Sequence, residues 1–130
     1  MTPDPLILVV DDLPQNVRLL DAVLSPHGFR VATASSGKEA LDVLGKKHPD
    51  LVLLDILMPG IDGIEALRRL RESPRTVDIP VVAVTAQAMK QDRERALEAG
   101  FDGYVEKPIS VRAFPGLVRR FLSDEEVETQ

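Results

Sequence analysis

Apolar residues along the chain follow two rhythms. Leu6–Val10, Leu51–Leu54 and Pro80–Val84 are short runs, apolar at consecutive positions, the pattern of strands buried on both faces of a parallel sheet. Arg30–Ala34 is a weaker candidate and Gly103–Glu106 a short one, which brings the strands to five. Between them the apolar spacing lengthens to that of amphipathic helices. After Pro14, the residues Val17, Leu20, Val23 and Leu24 share a face; after Ser36, so do Ala40, Leu41 and Leu44. Asp62 is placed to cap a helix that carries Ile64, Leu67 and Leu70 inward. Met89 to Ala99 is heavily charged, with Met89, Ala96 and Leu97 as its apolar anchors, and is expected to be the least firmly packed helix. A last helix follows Ser110 with Val111, Phe114, Val118 and Phe121 at helical spacing. Pro115-Gly116, about one turn in, predicts a kink there or a late start, because proline lacks the donor and crowds the preceding turn.

Strands alternating with helices imply a parallel sheet with right-handed crossovers, hence an α/β domain. The whole chain, 1–130, reads as one such domain with a core over about 6–122 and an acidic, frayed tail over 123–130. A chain of 130 residues fits a single domain and can bury about two-thirds of its unfolded surface without staples. The absence of cysteine excludes disulfide frameworks and thiolate metal sites. Met1 to Pro5 lacks the charged start and long apolar core of a signal peptide, and the apolar runs are too short to cross a bilayer. A formal net charge of −5 argues against direct nucleic-acid binding. The expected setting is cytoplasmic, with no membrane partner.

In an open α/β sheet, ligands bind beyond the carboxyl ends of the strands, so the residues at those ends carry the chemistry. The first strand runs into Asp11 and Asp12, the third into Asp55, the fourth into Thr85 and the fifth into Lys107-Pro108. Three carboxylates brought together repel one another unless a counter-ion is present. Magnesium resolves the conflict: it takes a few oxygen ligands and commonly shares its shell with a phosphate. Lys107 can neutralise phosphoryl oxygens and the Thr85 hydroxyl can donate to another. Taken singly, each residue has a plainer reading: Asp11 or Asp12 as a cap of the helix near Pro14, Thr85 as a turn residue, Lys107 as a surface lysine. Asp55 resists one, because a charge after four apolar residues at the end of a central strand is costly if unpaired.

Four motifs in order resemble the receiver domains of two-component signalling systems: Val9-Val10-Asp11-Asp12, the run from Asp55 to Gly63, Val84-Thr85-Ala86, and Gly103-Tyr104-Val105-Glu106-Lys107-Pro108. The resemblance covers Leu6 to about Leu122. It implies a flavodoxin-like (βα)5 three-layer sandwich with a five-stranded parallel sheet in the order 2-1-3-4-5. By resemblance, Asp55 is the phosphoacceptor. Asp12 binds magnesium directly, Asp11 largely through water, and the backbone carbonyl of Leu57 adds a ligand. Lys107 contacts the phosphoryl group, and its bond to Pro108 is expected to be cis. Thr85 and Tyr104 form a switch pair in which phosphorylation draws the Thr85 hydroxyl inward and Tyr104 turns into the space it vacates, and Ala86 leaves room for the donor. Leu57 and Gln87 sit at the mouth of the site. The implied donor is a sensor histidine kinase or a histidine phosphotransfer protein. A downstream protein is expected on the face formed by the fourth helix, fifth strand and fifth helix, with the chain a monomer or a weak phosphorylation-dependent dimer. The only chemistry expected is self-phosphorylation and its reversal, not enzymatic turnover.

Two other functions compete. A phosphohydrolase working through an aspartyl phosphate wants a second acid two residues after the nucleophile, and Leu57 stands there. A scaffold that works without phosphorylation usually lacks one of the site residues, whereas all are present. His27 and His48 lie in loop-like contexts and read as solvated; Arg68, Arg69 and Arg71 read as a wet helix face. With Met1 at the start and an acidic end, a stand-alone regulator is favoured over a fragment of a larger one.

Overall fold

A computed structural model describes residues 4–86 and 90–123. Strands β1 (Leu6–Val10), β2 (Arg30–Ala34), β3 (Leu51–Leu54), β4 (Val81–Thr85) and β5 (Gly103–Glu106) form one sheet in the order β2-β1-β3-β4-β5, with every pairing parallel. Helices α1 (Pro14–Leu24), α2 (Gly37–Leu44), α3 (Gly63–Glu72), α4 (Lys90–Ala99) and α5 (Phe114–Leu122) connect and follow them, with a 3₁₀ turn at Ser25–His27. The (βα)5 order and the five strands agree with expectation; β4 begins one residue later than its apolar run and includes Thr85.

The consecutive apolar positions are explained by two cores, one on each side of the sheet. Ile7, Val9, Leu51, Leu53, Val82 and Val84 point to a core closed by Leu20, Val23 and Leu24 of α1 and by Phe114, Val118 and Phe121 of α5. Leu8, Val10, Val52, Leu54, Val81 and Ala83 alternate to the other side, under α2, α3 and α4. A strand whose side chains alternate between two such cores must be apolar at every position. Among the described residues no helix is long and apolar enough to cross a membrane.

Three helical details differ from expectation. Ile64 is not inward: it is 36% exposed, and the buried stripe of α3 is Gly63, Ala66, Leu67 and Leu70, so Ile64 falls about 100° away from Gly63, on the flank. Leu97 is 39% exposed and leaves Ala96 as the buried residue of α4, while Met89 lies outside the described residues. Val111 is exposed, because α5 starts at Phe114 with Pro115 in its first turn, where a missing N–H costs nothing. The late start allowed for at Pro115-Gly116 is therefore the one adopted.

Candidate phosphoryl-transfer site

The parallel ladders run one residue past the strands and place the backbone of each strand-end residue. Asp11 N–H donates to Ala34 O at 3.1 Å, Asp55 N–H to Val10 O at 3.0 Å and Lys107 N–H to Thr85 O at 2.9 Å. The expected residues therefore meet at one edge. Carboxylate oxygens of Asp11, Asp12 and Asp55 lie within 4.8 Å of one another. Lys107 reaches across to them: its Nζ donates to Asp11 Oδ2 at 2.6 Å and to Asp55 Oδ2 at 3.0 Å. The Lys107–Pro108 bond is cis.

Asp11 and Asp55 are buried, and Asp12 is half-buried. Their remaining bonds are local. Asp11 Oδ1 accepts from Leu13 N–H at 3.0 Å and Asp55 Oδ1 from Leu57 N–H at 3.1 Å, so each acid folds the loop that follows its strand. Neither Asp11 nor Asp12 caps α1, whose cap position is Leu13 without a side-chain bond. Burial pulls the Lys107 ammonium toward a lower pKa, but its hydrogen bonds to Asp11 and Asp55 outweigh this and hold it above the ordinary lysine value. Three carboxylates against one ammonium leave two negative charges if all are ionised. The donor set, hard oxygens with a charge deficit of two, fits a divalent oxygen-seeking cation such as magnesium.

Thr85 is fully buried at the end of β4. It lies two residues beyond Ala83, the register partner of Tyr104, so Thr85 and Tyr104 face the same side of the sheet. The Tyr104 ring is inside, fully buried in the core shared with Met58, Leu67 and Ala96. Burial, then the charges of Asp92, Glu106 and Asp55, push its phenol above the usual value. Ala86 is exposed at the rim and lines a cavity of about 350 Å³ together with Lys107; Leu57 is 55% exposed and borders another of about 490 Å³ on the opposite flank. Gln87 lies outside the described residues.

Two residues escaped the sequence reading. A Cβ on Gly63 would stand 2.5 Å from Asp55 O and 2.6 Å from Ile56 Cα, so glycine is what lets α3 press against the backbone of the central acid. Asn16, five residues after Asp11, brings its Nδ2 to 3.4 Å from Asp11 Oδ1. Gly63 was visible only as part of a motif; Asn16 looked like any polar residue of a helix first turn. The solvated reading holds for His48, an exposed side chain whose Nε2 lies 3.2 Å from Arg75 O, and His27 is likewise exposed. It holds for Arg68 and Arg69, which pair with Glu65 on the surface of α3. It fails for Arg71. That guanidinium donates to Val77 O, Ile79 O, Gly100 O and Asp102 Oδ2, tying α3 to the edges of β4 and β5.

Residues 7–119 match the family described as the response regulator receiver domain. The chain belongs to that family. This receiver is 38% identical over 118 residues to the polar-differentiation response regulator DivK of Brucella ovis, covering 91% of this chain and 96% of DivK. It is 46% identical over 103 residues to the response regulator PleD of Caulobacter vibrioides, covering 79% of this chain and 23% of PleD. Among solved structures, the receiver domain of the sensor histidine kinase PA1611 of Pseudomonas aeruginosa, which has a magnesium ion coordinated in its active-site cleft, superimposes with a TM-score of 0.84 at 31% identity over 92% of this chain and 98% of that one. The receiver is thus a phosphoacceptor module of two-component signalling, with the acidic cluster that such a role requires at its expected edge.

Proposed function

We propose that Asp55 is the residue phosphorylated, by a phosphohistidine of a sensor histidine kinase or a histidine phosphotransfer protein. The observation that carries this is the bridge of Lys107 to both Asp55 and Asp11 inside a cluster of three acids. A carboxylate oxygen of Asp55 attacks phosphorus, the P–N bond breaks, and the electron pair leaves with the imidazole nitrogen, which is then protonated. The chain's share of the work is positioning and charge neutralisation. Lys107 would exchange a carboxylate for phosphoryl oxygens, and the Thr85 hydroxyl would donate to another. Asp12 and Asp55 would hold magnesium directly, with the Leu57 carbonyl, and Asp11 through water. The bound ion supplies charge compensation for the transferring group. Later attack by water returns Asp55 to its free form, so self-phosphorylation and its reversal are the whole of the chemistry.

The phosphate then biases a two-state element. Thr85, drawn toward the phosphoryl oxygens, and Tyr104, packed beneath α4, would couple the site to the α4–β5–α5 face, where a downstream protein docks. The protein acts in the cytoplasm as a monomer or as a weak dimer formed on phosphorylation, its receiver core running over about 6–122. The test is incubation with magnesium and acetyl phosphate, followed by hydride trapping and mass spectrometry. One adduct at Asp55 is expected, with none in Asp55→Asn; an equal yield from that variant refutes the assignment.

A further inference from the structure

Asp11 is the most tightly held of the three acids. Its Oδ2 accepts the Lys107 ammonium at 2.6 Å. Its Oδ1 accepts Leu13 N–H at 3.0 Å and is approached by Asn16 Nδ2 at 3.4 Å, the long end of hydrogen-bond range. Asn16 is in the first turn of α1 and also lines, with Ala86 and Lys107, the cavity of about 350 Å³ on that flank of the site. A carboxylate oxygen offers two in-plane lone pairs. With Leu13 and Asn16 on Oδ1, neither remains for a cation, whereas Asp12, half-buried, is the more open acid.

We propose that Asn16 is a positioning residue for the metal-dependent transfer: by occupying Asp11 Oδ1 it withholds that oxygen from the cation and leaves Asp11, pinned by Lys107 on Oδ2, with less to offer a metal than Asp12 and Asp55. The proposal rests on the metal reading given above and adds a consequence for selectivity. Magnesium keeps several of its waters and is content with few direct carboxylates, whereas calcium gathers six to eight oxygens in a looser shell. A pinned Asp11 therefore favours magnesium. Releasing Oδ1 adds a direct oxygen and favours calcium.

The experiment is calorimetric titration of magnesium and of calcium into the full chain, the parent beside Asn16→Ala and Asn16→Asp, with melting temperatures taken in chelator and in each cation. In Asn16→Ala the ratio of the two dissociation constants shifts toward calcium by about tenfold, the low end of what outer partners of metal ligands contribute. Asn16→Asp, the same shape with a donor exchanged for an acceptor facing Asp11, melts lower than the parent in chelator and gains more from magnesium than the parent does. A merely structural asparagine would lower the chelator melting temperature and leave the ratio untouched. An unchanged ratio in Asn16→Ala, or an equal loss of both affinities, overturns the role given to Asn16. A parent chain that binds neither cation overturns the metal reading itself, and this role with it.

Discussion

Helices α3 (Gly63–Glu72) and α4 (Lys90–Ala99) are neighbours, yet they are held in different ways. Helix α3 buries Gly63, Ala66, Leu67 and Leu70, is capped by the Asp62 carboxylate, which accepts from Glu65 N–H at 2.9 Å, and is fastened at its far end by Arg71. Among the described residues, helix α4 buries Ala96 alone and shows one surface ion pair, Lys90 with Glu94 at 4.0 Å. The first presses on the backbone of Asp55; the second covers Tyr104 in the same core. A phosphate sensor needs both kinds of helix. On the proposed reading one holds the acceptor still, and the other has so little burial to lose that a local charge would move it.

That contrast is open to direct challenge. Leu67→Ala empties a fully buried site under α3 and should cost about 3 kcal/mol in urea denaturation; a loss below about 1 kcal/mol would mean that α3 is not the anchor. Asp62→Ala removes the cap and should cost about 1 kcal/mol by the same measurement. Leu97→Ala, on α4, should change stability by less than about 0.5 kcal/mol, since the side chain is already part exposed. The smallest effect is electrostatic. Hydrogen bonds from Arg68, then Arg69, hold the Glu65 carboxyl down to about 2 from its ordinary 4.5. A depressed folded pKa gives stability that is present above the unfolded value and lost as pH falls from about 4.5 toward 2. Because the pair is exposed, the loss is slight and shrinks with salt. In Glu65→Gln this part of the acid-side slope, read from melting temperature against pH, should vanish.

The alternation of strands and helices was legible because the strands are apolar on both faces, and the acids, Thr85 and Lys107 were legible because they stand directly after those runs. What stayed hidden depended on contacts between distant segments. Ile64 has the right hydrophobicity for a core but the wrong angle about α3. Arg71 reads as one more arginine in a charged stretch until Val77, Ile79, Gly100 and Asp102 are folded around it. The strand register alone does not report whether Tyr104 is inside or outside, since a ring at a sheet edge can swing either way. Asn16 becomes significant only once the turn after β1 brings its amide to Asp11.

The most direct test follows amide hydrogen exchange along the chain, with magnesium alone and with magnesium plus beryllofluoride as a stable stand-in for the phosphoryl group. Protection should change in α4 and β5 and stay constant in α1 and α3, with the response lost in Thr85→Ala. A change spread evenly over α3 and α4, or one confined to α3, would contradict the division between a fixed support and a movable helix.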